Sequence, residues 1–65
     1  MVVKIGYEML TFVSLTKEQL KAVEDAAGYG VDLYGVKAGL VAKGSKAKLY
    51  DMLCELAIKY DIELI

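Results

Sequence analysis

Three lysines, a glycine and a serine lie close together in the segment 42–48, at the start of a predicted helix. Lysine side chains and the free backbone N–H groups of a helix N-terminus can together hold a phosphate or a carboxylate. Lysines at this end oppose the helix dipole, at a cost of about 0.3–1 kcal/mol each. Lys43, Gly44, Ser45 and Lys46 therefore form a candidate anion-binding site. The alternative is a solvated lysine cluster that aids solubility.

The rest of the sequence lacks most of the side chains that catalysis and metal binding use. It contains no histidine and a single cysteine, Cys54. Histidine is the commonest general base at neutral pH and the commonest metal ligand, and one thiol cannot make a cysteine-rich zinc site. We therefore expect no enzymatic activity, no metal and no cofactor.

The basic residues argue against sequence-specific recognition of nucleic acid. All eight are lysine, and the net charge is -1. Arginine is the residue that contacts phosphate and guanine in a bidentate manner, and it is missing here. Nucleic acid is therefore not an expected partner, and weak binding to its backbone is the most that this composition predicts.

No stretch of the sequence predicts a membrane span or a secretory signal. Lys4 and Glu8 interrupt the apolar residues near the beginning of the chain. A helix that crosses a bilayer needs about 20 apolar residues, which no stretch here provides. A single thiol is typical of a reducing compartment. We therefore expect a cytoplasmic protein.

Periodicity and capping signals predict the elements that position these residues. Apolar and polar residues alternate over 2–9, and the alternation fails over 9–13, which indicates a bulge, a bend or a segment covered on both sides. Thr16 and Gln19 form a capping-box pattern before the first helix, and Ser45 is the cap expected for the second. The predicted elements are a strand at 2–9, a helix at 17–27, two strands around a turn at 35–39, a helix at 46–60 and a strand at 61–65. A single bent strand is the alternative to the hairpin.

The order of these elements is β-α-β-β-α-β, in one domain that covers residues 1–65. This is the order of the split βαβ, or ferredoxin-like, sandwich, in which two helices pack on one face of a four-stranded antiparallel sheet. The sequence therefore predicts a small two-layer α+β fold. The similarity is one of topology and carries no function with it.

The second predicted helix has more apolar side chains than one sheet can cover. Successive residues turn about 100° around a helix, which gives a core stripe of Leu49, Met52, Leu53, Leu56 and Tyr60. A second stripe, Tyr50, Cys54 and Ile58, runs beside the first. Either Tyr50 and Cys54 fill the groove between the two helices, or all three residues contact another protein.

The predicted sheet adds to this surplus, because a two-layer sandwich leaves one sheet face open. We expect Val2, Leu10 and Phe12 on one face and Val3, Ile5 and Met9 on the other. Small domains often cover such a face by pairing with a second copy. The sequence therefore predicts a homo-oligomer, with a dimer as the expected size.

Together these features predict a small non-enzymatic regulatory protein that forms a homo-oligomer and acts by binding another protein. Tyr50, Cys54 and Ile58 are the predicted interface. The first alternative is a regulatory domain that binds a small ligand or an anion at 43–48. The second is a weak binder of the nucleic-acid backbone.

Overall fold

The first thirteen residues form a hairpin. The computed structural model describes residues 1–37 and 39–65 and contains strands β1 (Val2–Gly6) and β2 (Met9–Val13), which pair antiparallel with Val3 opposite Phe12. The two residues between them make the turn, and Glu8 adopts a φ of 49°. The prediction of one strand over 2–9 is therefore wrong. The alternation fails after Met9 because the turn reverses the chain, so that Leu10 and Phe12 face the same side as Val3.

Helix α1 (Lys17–Ala27) begins and ends where its capping residues predict. The Gln19 backbone N–H donates to Thr16 Oγ1 at 3.1 Å, and the Thr16 N–H donates to Gln19 Oε1 at 3.0 Å. This reciprocal pair satisfies two donors that a helix N-terminus otherwise leaves free. Gly28 follows the helix with a φ of 52°, a conformation that favours glycine.

Strands β3 (Val31–Val36) and β4 (Gly39–Gly44) form the predicted hairpin. They pair antiparallel, from Val31 opposite Gly44 to Val36 opposite Gly39. The pairing confirms the hairpin and excludes a single bent strand. Ala38, within the predicted turn, lies outside the described residues.

Helix α2 (Lys46–Lys59) is capped by Ser45, whose Oγ accepts from the Lys48 backbone N–H at 3.4 Å. After the helix, the short strand β5 (Glu63–Leu64) pairs parallel to β1. Two backbone hydrogen bonds of 3.0 Å hold it there, from the Glu63 N–H to the Met1 carbonyl and from the Ile65 N–H to the Val3 carbonyl.

Over the described residues the strands form one sheet in the order β3-β4-β2-β1-β5. The α+β class is confirmed, and the sheet differs from the predicted one in two respects. It has five strands instead of four, and β5 makes it mixed instead of wholly antiparallel. β1 pairs with β2 through a two-residue turn and so takes the free edge of β2. The last strand of the chain must then pair with the outer edge of β1.

Both helices pack on the same face of the sheet. The side chains Val3, Leu10, Phe12, Leu40 and Ala42 point to this face and are buried against Val23, Ala27, Leu49, Met52 and Leu56 of the helices. The opposite face has no layer over it among the residues described. Neither helix in the described part of the chain has the length and apolar character needed to cross a membrane.

Candidate interaction surface

The outer side of α2 carries the three residues of the predicted interface, and all are exposed. Leu49, Met52 and Leu56 are the residues of α2 that lie in the core. The neighbouring stripe at i, i+4 and i+8 therefore points away from the sheet. Tyr50 is 49% exposed and Ile58 is 85% exposed, and Cys54 between them is a free, exposed thiol. The structure brings these residues together along two turns of one helix.

A shallow groove of about 250 Å³ continues this stripe toward the edge of the sheet. It lies between α2 and β5, and Leu64 at its far side is 54% exposed. β5 lies at the margin of the helix layer, because α1 makes its main strand contacts with β3, and α2 makes its own with β4 and β2. We call the combined surface the α2–β5 face; its residues are Tyr50, Leu53, Cys54, Ala57, Ile58, Ile62 and Leu64.

One of the two alternatives above places Tyr50 and Cys54 in the groove between the two helices. Ala22, Asp25 and Ala26 of α1 line one side. On the α2 side the residues are Glu55, Leu56, Ile58 and Lys59. Tyr50 and Cys54 are not among the lining residues, so that alternative is wrong. The small alanines Ala22 and Ala26 of α1 face this groove, and Ile58 is the one residue of the stripe that lines it.

The open face of the sheet carries different apolar residues from those predicted in the first strands, together with charged residues. Leu10 and Phe12 are fully buried on the helix side with Val3, because the hairpin turn places them there. Their neighbours on the open face are Met9, Thr11 and Val13, which are only partly exposed. The cross-strand rows of the open face also contain charged residues, Lys4 in one row and Lys43 with Asp32 in the next. Tyr34 and Val36 are also exposed on this face, which is therefore a mixed apolar and charged surface.

The three lysines of the segment 42–48 are directed toward three different tyrosines. Lys43 Nζ lies 5.5 Å from the centroid of the Tyr34 ring, and Lys46 Nζ lies 5.6 Å from that of Tyr7. These are the geometries of cation–π contacts. Lys48 Nζ donates instead to the Tyr29 carbonyl oxygen at 3.0 Å.

Hydrogen bonds also engage backbone and hydroxyl groups of the segment 42–48. The Gly44 N–H donates to the Glu8 carbonyl oxygen at 3.3 Å, and the Ser45 hydroxyl caps α2. Lys43, Gly44, Ser45 and Lys46 remain neighbours in sequence. Their polar groups, however, are engaged in several directions instead of converging on one point.

The pairing of lysines with tyrosines is the feature that sequence reasoning missed. A hairpin that turns between Val36 and Gly39 places Tyr34 opposite Val41, and therefore diagonal to Lys43. Diagonal neighbours on one sheet face are within reach of long side chains. The contact between Lys43 and Tyr34 therefore follows from the predicted hairpin. The contact between Lys46 and Tyr7 does not, because it depends on the unpredicted β1–β2 turn.

Tyr60 joins the end of α2 to the first turn of α1. Its O–H donates to Glu18 Oε1 over a long 3.5 Å. Partial burial and the nearby Glu18 carboxylate raise the pKa of the Tyr60 phenol above its usual value. The phenol is therefore protonated at neutral pH, and its position indicates a structural contact between the helices.

Over the described residues, no group of three or more His, Cys, Asp or Glu side chains is arranged to hold a metal ion. No family model matches the chain, and neither the curated proteins nor the solved structures give a significant match to it.

Proposed function

We propose that this chain is a small non-enzymatic interaction protein that self-associates and acts by binding another protein. The observation that carries the proposal is the α2–β5 face, a set of adjoining apolar side chains on a helix and the nearby sheet edge, of which all but Leu53 and Ile62 are exposed. A single exposed aliphatic side chain needs no explanation, but a contiguous patch typically marks an interaction site. Ile58 has only 15% of its surface covered within the chain.

The site also has the anatomy of a protein interface. An aromatic and aliphatic centre, here Tyr50, Leu53 and Ile58, is surrounded by charged residues such as Asp51 and Lys59, which are exposed. Protein interfaces have an apolar core and a polar rim, and aromatic residues are enriched among their strongest contacts. The lysines at 43–48 support the anion-binding alternative less well, because they contact three separate tyrosine residues.

The proposal extends to the compartment and to the fold. An exposed thiol with no partner in its own chain, Cys54, favours the reducing cytoplasm.

We also infer that the fold is a variant of the ferredoxin-like sandwich, made of β2, α1, β3, β4 and α2. In this variant β1 takes the position of the fourth strand.

The test is the mass of the purified protein in solution, compared among three variants. Ile58→Glu and Tyr50→Glu place a charge in the centre of the α2–β5 face, where burial of an unpaired charge is costly. Each should weaken self-association at least tenfold, measured by analytical ultracentrifugation across a concentration series. Tyr29→Glu is the matched control, because Tyr29 is 97% exposed and lies outside this face; it should associate as the wild type does.

A wild-type chain that remains monomeric up to high micromolar concentration would contradict the self-association part of the proposal. If the oligomer persists in both glutamate variants, the contact lies elsewhere. Tyr34→Glu and Val36→Glu then test the open face of the sheet in the same way.

A further inference from the structure

We propose that α2 packs antiparallel against α2 of a second copy of this chain, about a twofold axis that passes beside Cys54. This inference rests on the proposed function and names the partner of the same surface. It predicts which residues meet across the interface, and the proposed function alone does not.

The spacing of the exposed stripe is self-complementary. Tyr50, Cys54 and Ile58 are each four residues apart, so the stripe is symmetrical about its middle residue. An isologous dimer requires a surface that matches itself after a twofold rotation. Rotation about Cys54 places the two thiols side by side and sets each Tyr50 against Ile58 of the second copy. The small residues Ala47 and Ala57 adjoin the stripe and permit a close approach of the helices.

The charges at the two ends of α2 favour the antiparallel direction. Lys46 begins the helix and Asp61 follows it, and both side chains are exposed. Antiparallel packing brings Lys46 close to Asp61 of the second copy, and the two helix dipoles then oppose each other favourably. Parallel packing would instead place lysine beside lysine and carboxylate beside carboxylate. This charge complementarity favours a second copy of the chain as the occupant of the face.

Helix geometry gives the Cα–Cα distances expected across the proposed interface, and a cross-link can test them. Packed helices have axes about 8–10 Å apart and Cα atoms about 2.3 Å from each axis. Two Cα atoms that face each other at the twofold axis are then separated by about 3.5–5.5 Å. Disulfides join Cα atoms about 4.4–6.8 Å apart. Cys54 of one copy is therefore within reach of Cys54 of the other.

A cysteine placed two turns earlier distinguishes the two directions. Ala47 is exposed and lies seven residues before Cys54 on the same side of α2. In the antiparallel dimer the two residues at position 47 are separated by 14 residues along the helix, about 21 Å at 1.5 Å per residue. In a parallel dimer they face each other, as Cys54 would.

The experiment treats each protein with diamide, which accepts the two protons and two electrons released when two thiols form a disulfide. Covalent dimer is then followed by non-reducing electrophoresis. The wild type should cross-link through Cys54 at least tenfold faster than Cys54→Ala/Ala47→Cys. The control Cys54→Ala/Lys21→Cys carries an exposed thiol on α1 and should cross-link as slowly as the Ala47→Cys protein.

The mass of each protein is measured at the same concentration, so that the two proposals can fail separately. A dimer whose Cys54 fails to cross-link contradicts the twofold arrangement and leaves the proposed function standing. Equal rates for Cys54 and Ala47→Cys show parallel packing, and equal rates for Cys54 and Lys21→Cys show random collision; either result overturns the inference. A wild-type monomer overturns the inference together with self-association.

Discussion

Gly39 opens β4 with a φ of 155°, and a side chain at this position would collide with the backbone carbonyl of Phe12. The positive φ and the collision have the same origin, because β4 lies directly against β2 and Gly39 is opposite Val13. A β-carbon here would force the two central strands apart. At Gly35, in the same hairpin, a β-carbon would meet no atom within 4 Å, and the φ is not positive. The backbone therefore has room for a side chain at Gly35 but not at Gly39.

Gly39→Ala should lower the free energy of unfolding by about 2 kcal/mol or more, since it combines backbone strain with a backbone collision. Gly35→Ala, the matched control, should change it by less than about 0.5 kcal/mol. Urea unfolding followed by circular dichroism measures both. Similar losses in the two variants would mean that the close approach of β4 to β2 is not as described.

At the scale of single elements, the helices were predictable and the first strand was not. The signals that begin α1 and α2 are local: Thr16, Gln19 and Ser45 lie within three residues of the donors that they satisfy. The β1–β2 turn carries neither Asn-Gly nor Asp-Gly, the sequences that commonly specify a two-residue turn. Glu8 instead adopts a positive φ that is costly for a residue with a β-carbon. The hairpin thus forms through the pairing of its strands, in spite of its turn residues.

Glu8→Gly should therefore stabilise the protein by about 0.5–1 kcal/mol, because glycine adopts this φ without steric cost. Glu24→Gly makes the same chemical change at an exposed position inside α1 and should destabilise by about 1 kcal/mol. Thermal and urea unfolding of both variants show whether the free energy of unfolding rises or falls. A loss of stability in Glu8→Gly would show that the turn conformation is not the strained one.

At the scale of the whole molecule, the strand order could not be read from the sequence, because it depends on contacts between distant residues. The pairing of β5 with β1 joins residues 2 and 3 to residues 63 and 64. No local pattern specifies such a partner, and the outcome depends on which edge is still free once β1 has paired with β2. The stripe of the candidate interface was predictable, because helical spacing alone defines it. The neighbouring groove was not, since Ile62 and Leu64 reach it only through β5.

If the folded chain is a dimer, its stability must depend on its concentration. A tenfold increase in protein should add about 0.7 kcal/mol per chain and raise the unfolding midpoint by roughly 3–5 °C. Ile58→Glu should remove this dependence, and Tyr29→Glu should retain it. Differential scanning calorimetry over two decades of concentration provides the measurement. A midpoint that is constant for the wild type would indicate that each chain folds alone.

The two hydrogen bonds that hold β5 beside β1 also bring residues 1–3 and 63–65 next to each other. The path of the chain therefore nearly closes on itself. A short glycine linker between the two ends would make the backbone a ring, and the exposed loop at Gly28–Tyr29–Gly30 offers a place to open it again. Such a circular permutant would begin with the β3–β4 hairpin and keep every strand neighbour of the present sheet. Folding of such a permutant would show that the arrangement of the sheet is separable from the order in which its strands are synthesised.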